Sequence, residues 1–343
     1  MNQNKNQLTT TTGNGVALRN ASKSLKITNK LLANINILSD EDWEWWVNVP
    51  NDLKEEFLCH TNYFEIDNFE EYDESDEDIH VKVDDLFNKA LMGDYLRQIF
   101  KITKLDLSGL GSFKVIQNSD INFLSYLSNL ENLKLSSNGI KDINALSNLC
   151  KLKELELFGN NIKSLLPLYK LSKLEKLHLG HNKIKDISPL SSLTNLSFLW
   201  AYGNEISDIS GLSSLKKIYD LSLSENNIED ISPLSSLPNL ITLSLTNNSI
   251  IELAPLETCK SLKFLYLNNN KIKDIGYLSH LDNLITLRLY GNIIDDISPL
   301  SKLKNLRYLD LDSSNLHNGG DWLIKQLPNC KINFIELSDE LPF

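Results

Sequence analysis

Residues 174–195 read LEKLHLGHNKIKDISPLSSLTN and residues 196–217 read LSFLWAYGNEISDISGLSSLKK, the second stretch repeating the first at an offset of 22. The same offset carries an asparagine through Asn138, Asn160, Asn182, Asn204, Asn226, Asn248, Asn270 and Asn292 without a slip. Leucine pairs precede it at Leu133/Leu135, Leu155/Leu157, Leu177/Leu179, Leu221/Leu223, Leu243/Leu245, Leu265/Leu267 and Leu287/Leu289. An aliphatic residue follows two positions later, as at Ile140, Ile162, Ile184, Ile206 and Ile228. Self-similarity at one fixed period marks a stack of short structural units that share a continuous core.

Each part of the block has a physical reading. Leu-x-Leu alternates with period two and predicts a short strand with one buried face. The asparagine carries a donor and an acceptor on one short side chain, so stacked copies can bond the backbone of their own turn and of the neighbouring one. Asp-Ile-Ser-Pro-Leu, as at Asp186 to Leu190, Asp230 to Leu234 and Asp296 to Leu300, breaks extended structure and predicts a tight, short-helical return. Leu193, Leu215, Leu237, Leu281 and Leu303 then close the turn, and Cys259 occupies the same slot, which reads as a buried small hydrophobe.

The pattern LxxLxLxxNxIxDIxPL resembles the 22-residue subclass of leucine-rich repeats found in internalins and in a regulatory subunit of protein phosphatase 1, and it covers residues 101 to about 337. The resemblance implies an α/β fold: a right-handed curved solenoid with a parallel concave sheet, a short helical or 3-10 convex side and an N-terminal helical cap. It also implies a binding scaffold. Internalins carry a signal peptide and a wall-anchoring tail, and neither is read here. Met1 to Thr12 is rich in Asn, Gln and Thr, and no run of 18 apolar residues occurs, so the expectation is a cytoplasmic protein that does not engage a membrane.

The ends are irregular. Leu105-Asp106-Leu107 lies 28 residues before the next strand, and Ser314 stands where the next asparagine belongs. Asp321 to Leu327 reads as a helix with Trp322, Leu323 and Leu327 apolar, followed by a last strand containing Ile332 and Phe334; together these predict a C-terminal capping repeat ahead of a tail at 338–343. Residues 1–22 lack periodicity and read as disordered. Residues 23–100 read as a helical cap, with Ile27, Leu31, Ile35 and Leu38 at helical spacing and Trp43, Trp46 and Val47 after a Ser39-Asp40-Glu41-Asp42 start. Within it, residues 65–78 hold nine carboxylates and no Lys or Arg; they lack the spacing of a calcium loop and read as a solvated loop.

Charge and motifs narrow the function classes. A formal net charge of −11 opposes binding to phosphate backbones, so no nucleic-acid partner is expected. The four cysteines, Cys59, Cys150, Cys259 and Cys330, form no CxxC pair or dense framework, which points to a reducing compartment. The sequons at Asn195 and Asn247 sit inside the repeat and would need a secretory route. Phosphate-loop, zincin, nucleophile-elbow and dinucleotide patterns do not occur, so no catalytic residue and no cofactor are assigned. Cys59-His60 reads as an incidental pair, and His178 with His181 as polar surface instead of a metal site.

Side chains flanking the strand leucines fall on the face opposite the core, and equivalent positions form columns about 4.8 Å apart. On these columns aromatic residues cluster twice. Phe198, Trp200 and Tyr202 come from one strand, with His178 and Phe158 on the two preceding ones. Phe264, Tyr266, Tyr290 and Tyr308 form a second group beside Arg288. Between them lie Ser222, Ser224, Thr242, Ser244 and Thr246. Trp, Tyr and Arg dominate interface hot spots and have no core duty here, so these ten aromatic, histidine and arginine residues are the expected binding surface for another protein. A stoichiometric inhibitor or regulatory subunit of an enzyme or toxin is the alternative, and an enzymatic site within residues 23–100 is a third.

Overall fold

The computed structural model describes residues 101–108 and 121–336, and the chain divides between Ile102 and Thr103. The expected cap at 23–100, its acidic loop at 65–78, the Cys59-His60 pair, the segment 1–22 and the tail 338–343 lie outside the described residues.

Among the described residues eleven strands form one sheet in strict sequence order, with every neighbouring pair parallel. They are β1 (Lys104–Asp106), β2 (Asn132–Lys134), β3 (Glu154–Glu156), β4 (Lys176–His178), β5 (Phe198–Trp200), β6 (Asp220–Ser222), β7 (Thr242–Ser244), β8 (Phe264–Tyr266), β9 (Thr286–Arg288), β10 (Tyr308–Asp312) and β11 (Lys331–Ile335). The order is open, with β1 and β11 at opposite ends of the sheet. This is the expected solenoid. The register places Leu133, Leu155, Leu177, Leu199, Leu221, Leu243, Leu265, Leu287 and Leu309 side by side. A one-residue slip would turn every one of them to the other face, so burial fixes the pairing.

One repeat shows how the core is built. Leu174, Leu177, Leu179, Ile184, Ile187, Leu190 and Leu193 are each at most 1% exposed, seven aliphatics in 22 residues. The return is a 3-10 helix, Ser188–Ser192, with Pro189 in its first turn where a missing N–H costs nothing. Asp186 Oδ1 accepts the Ser188 N–H at 2.8 Å, and the same Asp-to-i+2 bond recurs at Asp208, Asp230, Asp274 and Asp296. This local side-chain acceptor explains why aspartate rather than an apolar residue precedes each Ile-Ser-Pro. Cys259 is fully buried in its leucine slot, and desolvation pushes its thiol up to about 11.

The asparagine ladder binds repeat to repeat. Asn182 Nδ2 donates to Leu179 O (3.0 Å) in its own repeat and to Leu157 O (2.9 Å) in the preceding one. Its Oδ1 accepts the Ile162 N–H at 3.0 Å. The pattern continues along the stack, as at Asn160 and Asn226. A second asparagine series went unread in the sequence. Asn195, Asn239, Asn283 and Asn305 each donate to a backbone carbonyl 23 residues earlier, at 2.8 to 2.9 Å. Asn195, one of the two sequon asparagines, is therefore engaged in the stack.

At the C-terminal end Ser314 does not continue the ladder. Asp312 takes over one repeat boundary, accepting the Gly291 and Asn292 N–H groups. Helix α1 (Asp321–Gln326) follows, and then β11, which pairs in parallel with β10. The helix buries Leu323, and Leu327 beyond its end is buried too, whereas Trp322 is 44% exposed.

Candidate functional site

The core occupies one face of the sheet and leaves the other to side chains that alternate with the strand leucines. Phe198, Asp220, Thr242 and Phe264 stand in register across β5 to β8, as do Trp200, Ser222, Ser244 and Tyr266. Backbone bonds carry the pairing beyond the strand ends, for example Gly159 N–H to Gly180 O (2.9 Å) and His181 N–H to Tyr202 O (2.8 Å). Phe158, Gly180 and Tyr202 thus form a third column.

The first aromatic group is a continuous cluster. Phe198 and Trp200 have ring centroids 4.4 Å apart, and His178 meets Trp200 edge-on at 5.2 Å. Phe158 lies 5.3 Å from His178 and 6.1 Å from Tyr202. Phe158 and Tyr202 are two strands apart, about 9.6 Å at the sheet spacing. Their rings close that gap because Gly180 stands between them. A Cβ there would lie 2.8 Å from Tyr202 Cζ. Gly180→Ala is therefore expected to displace the Tyr202 ring and cost about 1–3 kcal/mol, the usual range for overpacking. Chemical denaturation with an unchanged midpoint would mean that the ring has another place to go at no cost.

His181 joins this cluster and was not among the expected binding residues. Its ring packs edge-on against Tyr202 at 5.1 Å and Phe158 at 5.3 Å. It occupies a left-handed turn position (φ 51°) that holds Gly159, Gly203 and Gly291 in other repeats. The imidazole lies over Gly203, where a Cβ would come within 2.6 Å of Nδ1. A bulky side chain at a position where φ is positive was the available signal.

The second group is arranged differently. Among the described residues no ring contact joins Phe264, Tyr266, Tyr290 and Tyr308. Instead the Arg288 guanidinium lies 5.5 Å from the Tyr266 ring centre and its Nε is 3.2 Å from Asp310 Oδ2. Asn333 Nδ2 also donates to Asp310, at 2.6 Å. Tyr308 is 55% exposed at the edge of this group.

Trp200 separates two depressions in the face. One, of about 230 Å³, lies against Glu154, Glu156, Lys176, His178, Phe198 and Tyr219. Tyr219, 41% exposed, is a second residue that sequence reading missed, because its column also holds Glu131, Lys153 and Lys263 and shows no aromatic pattern. The other depression, of about 240 Å³, runs from Trp200 and Tyr202 over Ser222, Thr242 and Ser244 to Tyr266. The Trp200 indole N–H donates to Asp220 Oδ1 at 3.0 Å, which ties the ring to the floor of this second depression.

Charge is balanced toward the β2–β3 end of the face. Lys134 Nζ meets Glu156 at 2.8 Å, and Asn132 Nδ2 donates to Glu154 at 2.7 Å. His178 Nε2 is buried without a hydrogen-bond partner. Burial among rings lowers the His178 pKa from its ordinary 6.5, the Glu156 charge opposes that shift, and His181 adds to it. The unfolded chain therefore binds the proton more readily than the folded one. The stabilisation from neutral His178 is present above pH 6.5 and is lost as pH falls below it. Wild-type unfolding free energy should accordingly drop more steeply than that of His178→Gln on acidification from pH 7; parallel profiles would contradict this. Among the described residues no group of three or more His, Cys, Asp or Glu side chains could hold a metal ion, and no helix is long and apolar enough to cross a membrane.

Comparison with known proteins matches this geometry. The family model "Leucine Rich repeats (2 copies)" fits residues 150–192, 172–214, 194–236, 220–258, 238–283 and 282–318. An internalin C2 from Listeria monocytogenes is 33% identical over 63% of this chain and 83% of that one, with a TM-score of 0.49. An internalin (InlF) from the same organism is 28% identical over 84% of this chain and 89% of its own, with a TM-score of 0.52. A leucine-rich-repeat protein of Leptospira interrogans is 31% identical over 70% of this chain and 62% of its own, with a TM-score of 0.64. None of the curated proteins matches the sequence significantly.

Proposed function

The chain belongs to the leucine-rich-repeat family, of internalin-like type, and from that premise we propose that it is a non-enzymatic scaffold that holds another protein against the free face of its sheet. The observation that carries this reading is the cluster formed by Phe158, His178, Phe198, Trp200 and Tyr202. These rings sit on the face opposite a core that Leu177, Leu199 and their equivalents already fill, so the buried core does not require them. Partly exposed Trp and Tyr side chains held by one another lose little rotamer freedom when a partner covers them, which is what makes such residues interface anchors. Phe264, Tyr266, Arg288, Tyr290 and Tyr308 extend the surface toward the C-terminal end, with Arg288 already oriented by Asp310. A partner spanning both groups crosses about three strand spacings, roughly 14 Å. A cytoplasmic location remains part of the same reading.

A photo-reactive amino acid placed at Ser222, on the free face, should capture the partner in extracts of the native cell. The same group at Ser213, in the 3-10 return between β5 and β6, should not. Capture from Ser213 with none from Ser222 would move the binding surface off the sheet and end the proposal.

A further inference from the structure

We propose that the depression between Trp200 and Tyr266 receives a cationic side chain, lysine or arginine, from the bound polypeptide, with Asp220 as its counter-charge. The inference rests on the reading of the sheet face as a protein-binding surface and adds the chemistry of what enters it.

Most carboxylates of the face already have partners. Glu156 is paired with Lys134, Glu154 with the Asn132 amide, and Asp310 with Arg288 and Asn333. Asp312 is bound by the backbone N–H groups of Gly291 and Asn292. Asp220 differs. It is half-buried, its Oδ1 accepts only the neutral indole N–H of Trp200, and among the described residues no lysine or arginine lies within ion-pair distance of it. Its charge is thus left facing the depression with an oxygen to spare. Loss of one partner from a half-buried carboxylate is expensive, and a cation from outside supplies what the fold does not.

The surroundings favour a cation over other groups. Trp200, Tyr202 and Tyr266 border the depression, and aromatic faces attract lysine and arginine heads while their edges and rings cover the aliphatic stems. Arg288 cannot fill the role, because it sits two strand positions beyond Ser244 and is drawn outward to Asp310 across the Tyr266 ring. The Ser222 and Thr242 hydroxyls on the floor can bond a polypeptide backbone lying over them. An anionic or purely apolar insert would leave Asp220 repelled or desolvated without compensation. The net charge of −11 adds long-range attraction for a basic segment.

The test is a titration of the full chain, ¹⁵N-labelled at tryptophan, with three capped tripeptides: Ala-Arg-Ala, Ala-Lys-Ala and Ala-norleucine-Ala. The Trp200 indole resonance, identified by its loss in Trp200→Phe, should move saturably with the arginine and lysine peptides. The norleucine peptide should bind at least tenfold more weakly, and added salt should narrow that gap. Asp220→Asn keeps an acceptor for the Trp200 N–H and removes the charge, and unshifted indole resonances of the other tryptophans verify its fold; it should lose about tenfold in affinity for the arginine peptide. Equal binding of norleucine and arginine peptides, an Asp220→Asn chain that binds arginine as well as the parent, or no response to any peptide would overturn the inference. Capture of a partner from Ser222 is unaffected by those results, so the scaffold reading and this one fail separately.

Discussion

Asn182→Ala is expected to destabilise the repeat stack by about 2–6 kcal/mol, and the size follows from counting which groups lose their last partner. Leu179 O also accepts from Asn204 Nδ2 at 3.0 Å, and Leu157 O from Asn160 Nδ2 at 3.0 Å. Both carbonyls therefore keep one bond and forfeit only the shared second one, about 0.5–1.5 kcal/mol each. The Ile162 N–H has Asn182 Oδ1 as its acceptor and loses it altogether, at about 1–3 kcal/mol. Asn182→Asp separates the two kinds of loss. It restores the Ile162 acceptor but turns the second carboxylate oxygen toward two carbonyl oxygens in the interior. At neutral pH it should be less stable than the alanine variant, and acidification should narrow the difference by protonating the buried acid. Denaturant unfolding of the three chains at two pH values checks this. An aspartate variant equal to the parent at pH 7 would show that the ladder works by shape alone.

Trp200→Ala combined with Tyr266→Ala should weaken binding of the partner by roughly 10³-fold. Truncating an aromatic hot spot costs about 2 kcal/mol or more, near thirtyfold. The two residues stand three strands apart, about 14 Å, beyond the range at which such losses usually couple. Trp200 carries the greater share, since it walls both depressions and touches Phe198, His178 and Asp220. Those same contacts mean that the double variant will not be neutral for folding. Losing the Asp220 bond and a stacked ring should cost about 1–2 kcal/mol. Leu199 and Leu265 beneath remain buried, so the repeats still stack. Binding isotherms measured well below the melting transition distinguish the two effects. Parent-like affinity in a folded double variant would remove the aromatic face from the interaction.

The stack was legible in the sequence because its causes are local and periodic. Leu177 and Leu179 alternate around His178, Asn182 sits three residues on, and Ser188-Pro189 starts the return; one block contains every reason for its own shape. Twenty-two-residue spacing then puts like on like, and the register of β2 to β10 follows with no further information. The same alternation identified which residues stand on the free face, including all ten aromatic, histidine and arginine positions.

What those residues touch was decided only by the assembled sheet. Phe158 reaches Tyr202 across 44 residues of chain because Gly180 leaves room between them, and His181 closes over Gly203 for the same steric reason. Arg288 turns toward Asp310 instead of toward the depression, and Trp200 turns its N–H to Asp220. Each is a rotamer choice among several allowed by the backbone, settled by neighbours one or two repeats away. A periodic sequence dictates where side chains stand because burial admits one register, whereas where they point depends on packing between columns that no single repeat encodes.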